Sequence, residues 1–329
     1  MIKKKLIVLA LIFLCISIIL LLISFFYKIF SLLILSIFFG FIFLTILLKK
    51  IQNLLLITTS TIFTLFIVEI LINLVIFDDN RAKYDKASDC VGWKFWDRKS
   101  DLGHQPKPGK HSCKMYGPNG EVIFDVVYTI DEDGFRFTNK NKAFGETINF
   151  FGGSFMFGHG LSDQQTLPYY VSESLNINAK NYGVGGYGAH QALAILQSDR
   201  NTDASINIFW TAPFHALRSA CKKTYSSSNP KYTLVDGGKK LIRDGRCPNE
   251  KLLGRVLKHS SIYNFIKRNY PLNVTDQDIE LYLRIVSEIY NISKSRKQTF
   301  IIGFYKSEEE YFKDSKFSNQ SIFLELQKY

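Results

Sequence analysis

The sequence predicts an α/β protein in two parts: three membrane helices, then a three-layer domain in which helices cover both faces of a parallel sheet. Three observations carry this. Long apolar runs fill residues 6–26, 29–48 and about 54–77. From residue 147 onward, short apolar strand-like segments alternate with helix-like ones, the pattern of a parallel sheet. Glycine-rich stretches stand where two of those strands give way to helices.

Each apolar run holds about twenty residues, enough to cross a hydrocarbon core of about 30 Å. The first is too long for a secretory signal peptide and lacks a small-residue cleavage site. Lys3, Lys4 and Lys5 flank the first run and Lys49 and Lys50 follow the second, whereas the turn between them offers only Lys28. By the positive-inside rule, the amino terminus and the Lys49-Lys50 loop face the cytoplasm. Three spans then put everything after Phe77 on the extracytoplasmic side, as a multi-pass protein of the cell membrane. Glu69 lies inside the third run with Asn73 one turn later. An intramembrane carboxyl is a functional candidate, but nothing nearby indicates transport, and a protonated or helix-paired glutamate near the outer boundary is the favoured reading.

The 329 residues carry a net charge of +12. That charge is spread thinly, and no dense Lys/Arg run with interleaved aromatics follows the apolar runs, which argues against a nucleic-acid partner. Cys90, Cys113, Cys221 and Cys247 all follow the third run. In an oxidising compartment four cysteines predict two disulfides in one of three connectivities, and neighbour pairing gives Cys90–Cys113 and Cys221–Cys247. No Cys-x-x-Cys or histidine cluster has zinc spacing, so no metal is expected, and no cofactor either.

Three regions follow: a membrane region at 1–77, a loop- and β-rich connector at 78–145, and the α/β domain at 146–329. The connector is rich in Gly, Pro, Lys and Asp. Within it, residues 121–129 and 135–138 read as a hairpin turning at Asp131-Glu132-Asp133-Gly134. In the α/β domain, strands are expected at 148–151, 179–182, 206–211 and 299–305. A helix begins near Thr166, with Pro168 tolerated in its first turn. Further helices are expected at 189–197, 275–297 and 319–327. The 275–297 stripe is Ile279, Leu283, Ile285, Ile289 and Ile292.

Two loops carry the chemistry. After the first strand comes Gly152-Gly153-Ser154, which places a hydroxyl at the strand's carboxyl end, where open α/β sheets bind ligands. About thirty residues later comes Asn181-Tyr182-Gly183-Val184-Gly185-Gly186, another strand end opening into a helix. This pair resembles the SGNH (GDSL-like) hydrolase family over roughly residues 120–329. The family's first block is Gly-Asp-Ser, with Gly153 here at the aspartate position and Ser154 at that of the nucleophile. Its second block is Asn-x-Gly-x-x-Gly, whose last glycine, here Gly186, gives a backbone N–H to the oxyanion. The resemblance implies a flavodoxin-like three-layer fold.

Two family blocks are missing. The third, Gly-x-Asn-Asp, supplies an asparagine donor to the oxyanion. The matching segment here is Trp210-Thr211-Ala212-Pro213-Phe214-His215-Ala216-Leu217-Arg218, in which His215 or Arg218 is a polar substitute. The last, Asp-x-x-His, supplies the base and its orienting carboxylate, and it is absent. The simplest explanation is a truncated sequence. A degenerate enzyme, or another histidine in the base's place, are the alternatives. His159, His190 and His215 all fall on carboxyl-end loops of the predicted sheet; His104, His111 and His259 do not.

The resemblance implies a membrane-anchored extracytoplasmic serine esterase acting on an O-acyl ester of a small molecule or cell-surface polysaccharide. An O-acyltransferase differs only in the acceptor. A non-catalytic glycan-binding or scaffold protein with a degenerate site is the rival from another class.

Overall fold

The computed structural model describes residues 2–27, 30–48, 51–75, 82–97, 101–139, 145–198, 203–223, 228–248, 252–269, 272–313 and 315–329. The chain divides into two compact units: residues 1–80 with 250–271, and residues 81–249 with 272–329.

With elements numbered along the whole chain, the first unit holds α1 (Ile2–Tyr27), α2 (Phe30–Leu47), α3 (Gln52–Val75), α9 (Leu252–Leu257) and α10 (Ser261–Asn269). Two of these helices, over Ile7–Ser24 and Gln52–Leu74, are long and apolar enough to cross a membrane. The middle one falls short: its apolar stretch is Phe30–Ile46. Among the described residues the expectation of three full spans is corrected to two, with a shorter apolar helix between them. The orientation lysines Lys28, Lys49 and Lys50, and Phe77, lie outside the described residues. Ser17 and Ser36 exchange hydroxyl-to-carbonyl hydrogen bonds at 2.8 Å and so staple α1 to α2. Polar side chains pair between apolar helices because no other partner is close.

The second unit opens with β1 (Lys83–Tyr84), α4 (Gly92–Phe95), β2 (Trp96–Asp97), β3 (Gln105–Pro106), β4 (Gly109–Tyr116) and β5 (Val122–Ile130). β4 pairs antiparallel with β5. The expected turn at 131–134 is present as a short second hairpin: Ile130 bridges Arg136 antiparallel, the Asp131 N–H donates to the Phe135 carbonyl at 2.8 Å and the Phe137 N–H to the Thr129 carbonyl at 2.8 Å, while β4, in a segment expected as loop, is the long partner of β5. The cysteine pairs 90–113 and 221–247 are joined, with Cα atoms 5.3 and 5.4 Å apart. Neighbour pairing is the connectivity observed.

The α/β part contains β6 (Thr147–Phe151), α5 (Ser154–Phe157), α6 (Leu167–Leu175), β7 (Asn178–Asn181), α7 (Ala189–Leu196), β8 (Ile206–Thr211), α8 (His215–Ser219), the hairpin β9 (Pro230–Val235) and β10 (Lys240–Arg246), α11 (Asp276–Ser295), β11 (Thr299–Phe304) and α12 (Asn319–Leu326). Four strands form a parallel sheet in the order β11-β8-β6-β7. Every residue of β6 is buried, as expected for a central parallel strand covered on both faces. On α11 the buried stripe is Ile279, Tyr282, Ile285, Val286 and Ile289, a helical period that packs one face on the sheet. The chain winds from β6 to β7 on one side and then to β8 on the other. The loops after β6 and β8 therefore diverge and open a crevice, the place where such sheets take ligands.

Candidate active site

Three loops meet at that crevice. The first leaves β6 through Gly152 and Gly153. A Cβ at Gly152 would fall 2.8 Å from Met156 Cβ and 3.0 Å from the Trp210 carbonyl, so only glycine fits. Ser154 then starts α5, and its own carbonyl accepts from the Gly158 and His159 N–H groups, each at 3.1 Å. Gly158 closes the turn at φ 77°, in the left-handed region that favours glycine. Ser154 is half-buried, and among the described residues nothing hydrogen-bonds its hydroxyl.

The second loop follows β7 and packs backbone to backbone on the first. Asn181 is the clamp: its Nδ2 donates to the Met156 carbonyl at 3.0 Å and its Oδ1 accepts from the Gly183 N–H at 2.9 Å. The Val184 N–H donates to the Gly152 carbonyl at 3.3 Å. A Cβ at Gly183 would stand 2.6 Å from the Phe157 nitrogen. Gly186 sits in a turn at φ 89°, and among the described residues its N–H has no acceptor. The structure thus joins the two glycine blocks.

The third loop, after β8, brings His215 and Arg218. A Cβ at Gly153 would lie 3.0 Å from Arg218 Nη1 and 3.5 Å from His215 Nε2. The space beside residue 153 is thus taken by a guanidinium and an imidazole. Arg218 Nη1 donates to the Tyr187 carbonyl at 2.6 Å, and its guanidinium lies over the Phe214 ring at 4.8 Å.

The proton on His215 can be placed by following its hydrogen bonds. Nδ1 is 3.0 Å from Thr211 Oγ1, which is 3.0 Å from the Tyr282 hydroxyl. Among the described residues Thr211 Oγ1 is the one acceptor for the Tyr282 O–H. Tyr282 therefore donates to Thr211, Thr211 donates to Nδ1, and Nε2 carries the hydrogen. Burial first, then the charges of Arg218 and His190, hold His215 well below the ordinary histidine value. It is a neutral imidazole with an N–H on the Gly153 side.

The other histidines are otherwise engaged. His190 is fully buried behind Gly188, with Nδ1 3.4 Å from Ser219 Oγ; burial, Arg218 and His104 pull it down to about 3. His159 is exposed and packs edge-on against Tyr84 and Phe124. His104, which stands outside the expected carboxyl-end loops, places Nε2 2.9 Å from the Gly185 carbonyl and so braces the second loop. The loop after Ser154 is held from the connector. Buried Arg136 pairs with Asp163 at 2.7 Å, donates to the Leu161 carbonyl at 2.7 Å and lies 4.2 Å over the Tyr128 ring. Thr211, Tyr282 and Asn181 are the site residues that motif reading missed. Of these, only Asn181 carries a motif clue, as the first letter of the second block.

Beside Ser154, Phe155 is 64% exposed and its ring lies 5.0 Å from that of Tyr305, which in turn is 5.3 Å from Trp210. Among the described residues no group of three His, Cys, Asp or Glu side chains is placed to hold a metal.

No protein-family model matches the chain, and no curated protein matches it significantly. Solved structures similar to it include the crystal structure of AlinE4, an SGNH-hydrolase family esterase, and two single-residue mutants of that esterase. Each is 16% identical, with a TM-score of 0.22, over 48% of this chain and 76% of the other.

Proposed function

We propose that the chain is a membrane-anchored serine esterase acting on an O-acyl ester, with its α/β domain on the extracytoplasmic side. One observation carries the reading: among the described residues neither the Ser154 hydroxyl, at the carboxyl end of the central strand, nor the Gly186 N–H, on the loop that packs beside it, has a hydrogen-bond partner. Ser154 attacks the acyl carbonyl and gives its proton to a water, the alcohol leaves with a proton, and a second water hydrolyses the acyl-enzyme, releasing the acid and restoring Ser154. The N–H groups of Ser154 and Gly186 and the Nε2–H of His215 take the oxyanion, with His215 replacing the family's asparagine donor and Arg218 adding positive charge nearby. Donors fixed before the reaction cost no reorganisation during it, which is why neutral, braced groups suit this role. The exposed Phe155–Tyr305 surface suits the flat apolar face of a sugar ring or the acyl chain itself. Two long apolar helices support anchoring, and the extracytoplasmic side rests on the two disulfides, which call for an oxidising compartment, because two spans no longer give it by the lysine rule.

The full chain in detergent is given p-nitrophenyl acetate and an O-acetylated polysaccharide. Cleavage that disappears in Ser154→Ala supports the reading. A second reading, a non-catalytic glycan-binding protein, is favoured by one fact: among the described residues no base reaches the Ser154 hydroxyl. Glycan binding without cleavage in either protein selects it.

A further inference from the structure

Residues 250–271 interrupt the α/β part of the chain, yet they belong to the unit of the apolar helices. Glu69 holds them there. Its carboxylate is 2% exposed and accepts from the Ser260 hydroxyl at 2.9 Å, the Ile262 N–H at 3.1 Å and the Ser261 N–H. Asn73, one turn on, donates to the Ser261 hydroxyl at 2.9 Å. The carboxyl that stands out in the third apolar run is thus the cap of α10. Ser31, Glu69, Asn73 and His259 also line a cavity of about 350 Å³.

Glu69 stands six residues before the end of α3 at Val75, or about 9 Å along the axis. α10 starts at that depth and is strongly two-faced: Ile262, Phe265 and Ile266 lie along one side and Asn264 and Lys267 along the other. Leu253 on α9 is 67% exposed and Ile266 is 51% exposed. Residues 252–269 contain Arg255, Lys258, Lys267 and Arg268 and no acidic residue. Helices of this kind bury an apolar face about 5–10 Å into the boundary between headgroups and acyl chains, with cations toward anionic lipid.

We infer that residues 252–269 are a second membrane anchor: α9 and α10 lie in the bilayer interface at the carboxyl end of α3, their cations on anionic phospholipid headgroups, with Glu69 fixing their depth. This rests on the reading of α1 and α3 as membrane spans. The chain would then be tied to the membrane twice, near residue 80 and again at 250–271.

The test uses the full chain in vesicles of phosphatidylcholine with phosphatidylglycerol, with Cys15→Ser as background. Nitroxide labels are placed at Leu253→Cys, Ile266→Cys, Asn264→Cys and, in α3, Ile57→Cys. Collision with oxygen reports lipid, and collision with a nickel chelate reports water. Residues 253 and 266 are expected to favour oxygen and 264 the chelate, with 266 shifting toward water in phosphatidylcholine alone or in Lys258→Gln/Lys267→Gln. Glu69→Gln is expected to release 266 into water while 57 stays in lipid. If 57 reads lipid while 253 and 266 read water, the anchor is overturned and the spans stand; if 57 also reads water, the membrane reading itself fails. Dipolar broadening at 266 would assign the face to a second copy of the chain and overturn lipid as the partner. An unmoved 266 label in Glu69→Gln, or in vesicles without the anionic lipid, overturns the role given to that group.

Discussion

Tyr282 never approaches the substrate in this account, yet it sets which nitrogen of His215 carries a proton. Tyr282→Phe tests that. The change removes one hydroxyl 3.0 Å from Thr211 Oγ1 and leaves the ring in place. Without the Tyr282 hydrogen on its oxygen, the Thr211 hydroxyl becomes a weaker donor to Nδ1 and a better acceptor from Nδ1–H, so part of the population moves the hydrogen off Nε2, which there loses its donor role. The loss of one oxyanion donor sets the bound, up to about 10²–10³-fold in kcat, or about 2.7–4 kcal/mol. The stability cost is smaller, about 1 kcal/mol for one neutral hydrogen bond. Rate and stability therefore separate. Two measurements are needed: kcat toward p-nitrophenyl acetate, and the nitrogen-15 shifts of His215, which report the tautomer. A drop in kcat with Nδ1–H appearing is the expected outcome. His215→Gln, which keeps a side-chain N–H, should retain more activity than His215→Phe. An unchanged kcat with a swapped tautomer would refute His215 as a donor.

Other predictions follow from the same packing. His190 and His215 are both depressed by burial, so below about pH 6.5 the unfolded chain binds protons that the folded one refuses. Stability should fall with acid by up to about 1.4 kcal/mol per pH unit for each histidine, and for His190 the fall should continue toward its folded value of about 3. Urea titrations of His190→Phe across that range check the slope, which should flatten. Asp163→Ala leaves the buried Arg136 charge uncompensated and should cost about 3–5 kcal/mol, read as a lower denaturation midpoint. Reducing Cys90–Cys113, which closes a span of 23 residues, should cost about 3 kcal/mol, and alkylation before reduction should label neither cysteine.

Three strands of the sheet, β6, β8 and β11, were legible because each is a short apolar run with a clear stop, whereas β7, Asn178-Ala179-Lys180-Asn181, is polar and was marked by the glycine block that follows it. Residues 206–211 coincide with β8, and 148–151 fall one short of β6. The two loops were legible for a related reason: close backbone packing demands glycine, and Gly152 and Gly183 announce it. β4 was not legible. Its residues Gly109-Lys110-His111-Ser112-Cys113-Lys114-Met115-Tyr116 put polar groups on an exposed face, and the nearby prolines read as loop. The shorter middle helix escaped because run length was counted through its ends, whose placement lies partly outside the described residues. Nor was the Tyr282–Thr211–His215 chain legible. Tyr282 falls on an apolar stripe, where its ring reads as core, and the role of its hydroxyl depends on a threonine 71 residues away. Glu69 was conspicuous as a carboxyl among apolar residues, but its partners lie 191 to 193 residues later.

The central claim is that Ser154 is the nucleophile, and the most direct measurement is covalent. The full chain is treated with a fluorophosphonate ester and digested, and the modified peptide is mapped by mass spectrometry. The account predicts one adduct, on Ser154, lost in Ser154→Ala and weakened in His215→Phe, with the circular dichroism of both variants unchanged. An adduct on another serine, or none under conditions where p-nitrophenyl acetate is cleaved, would contradict it.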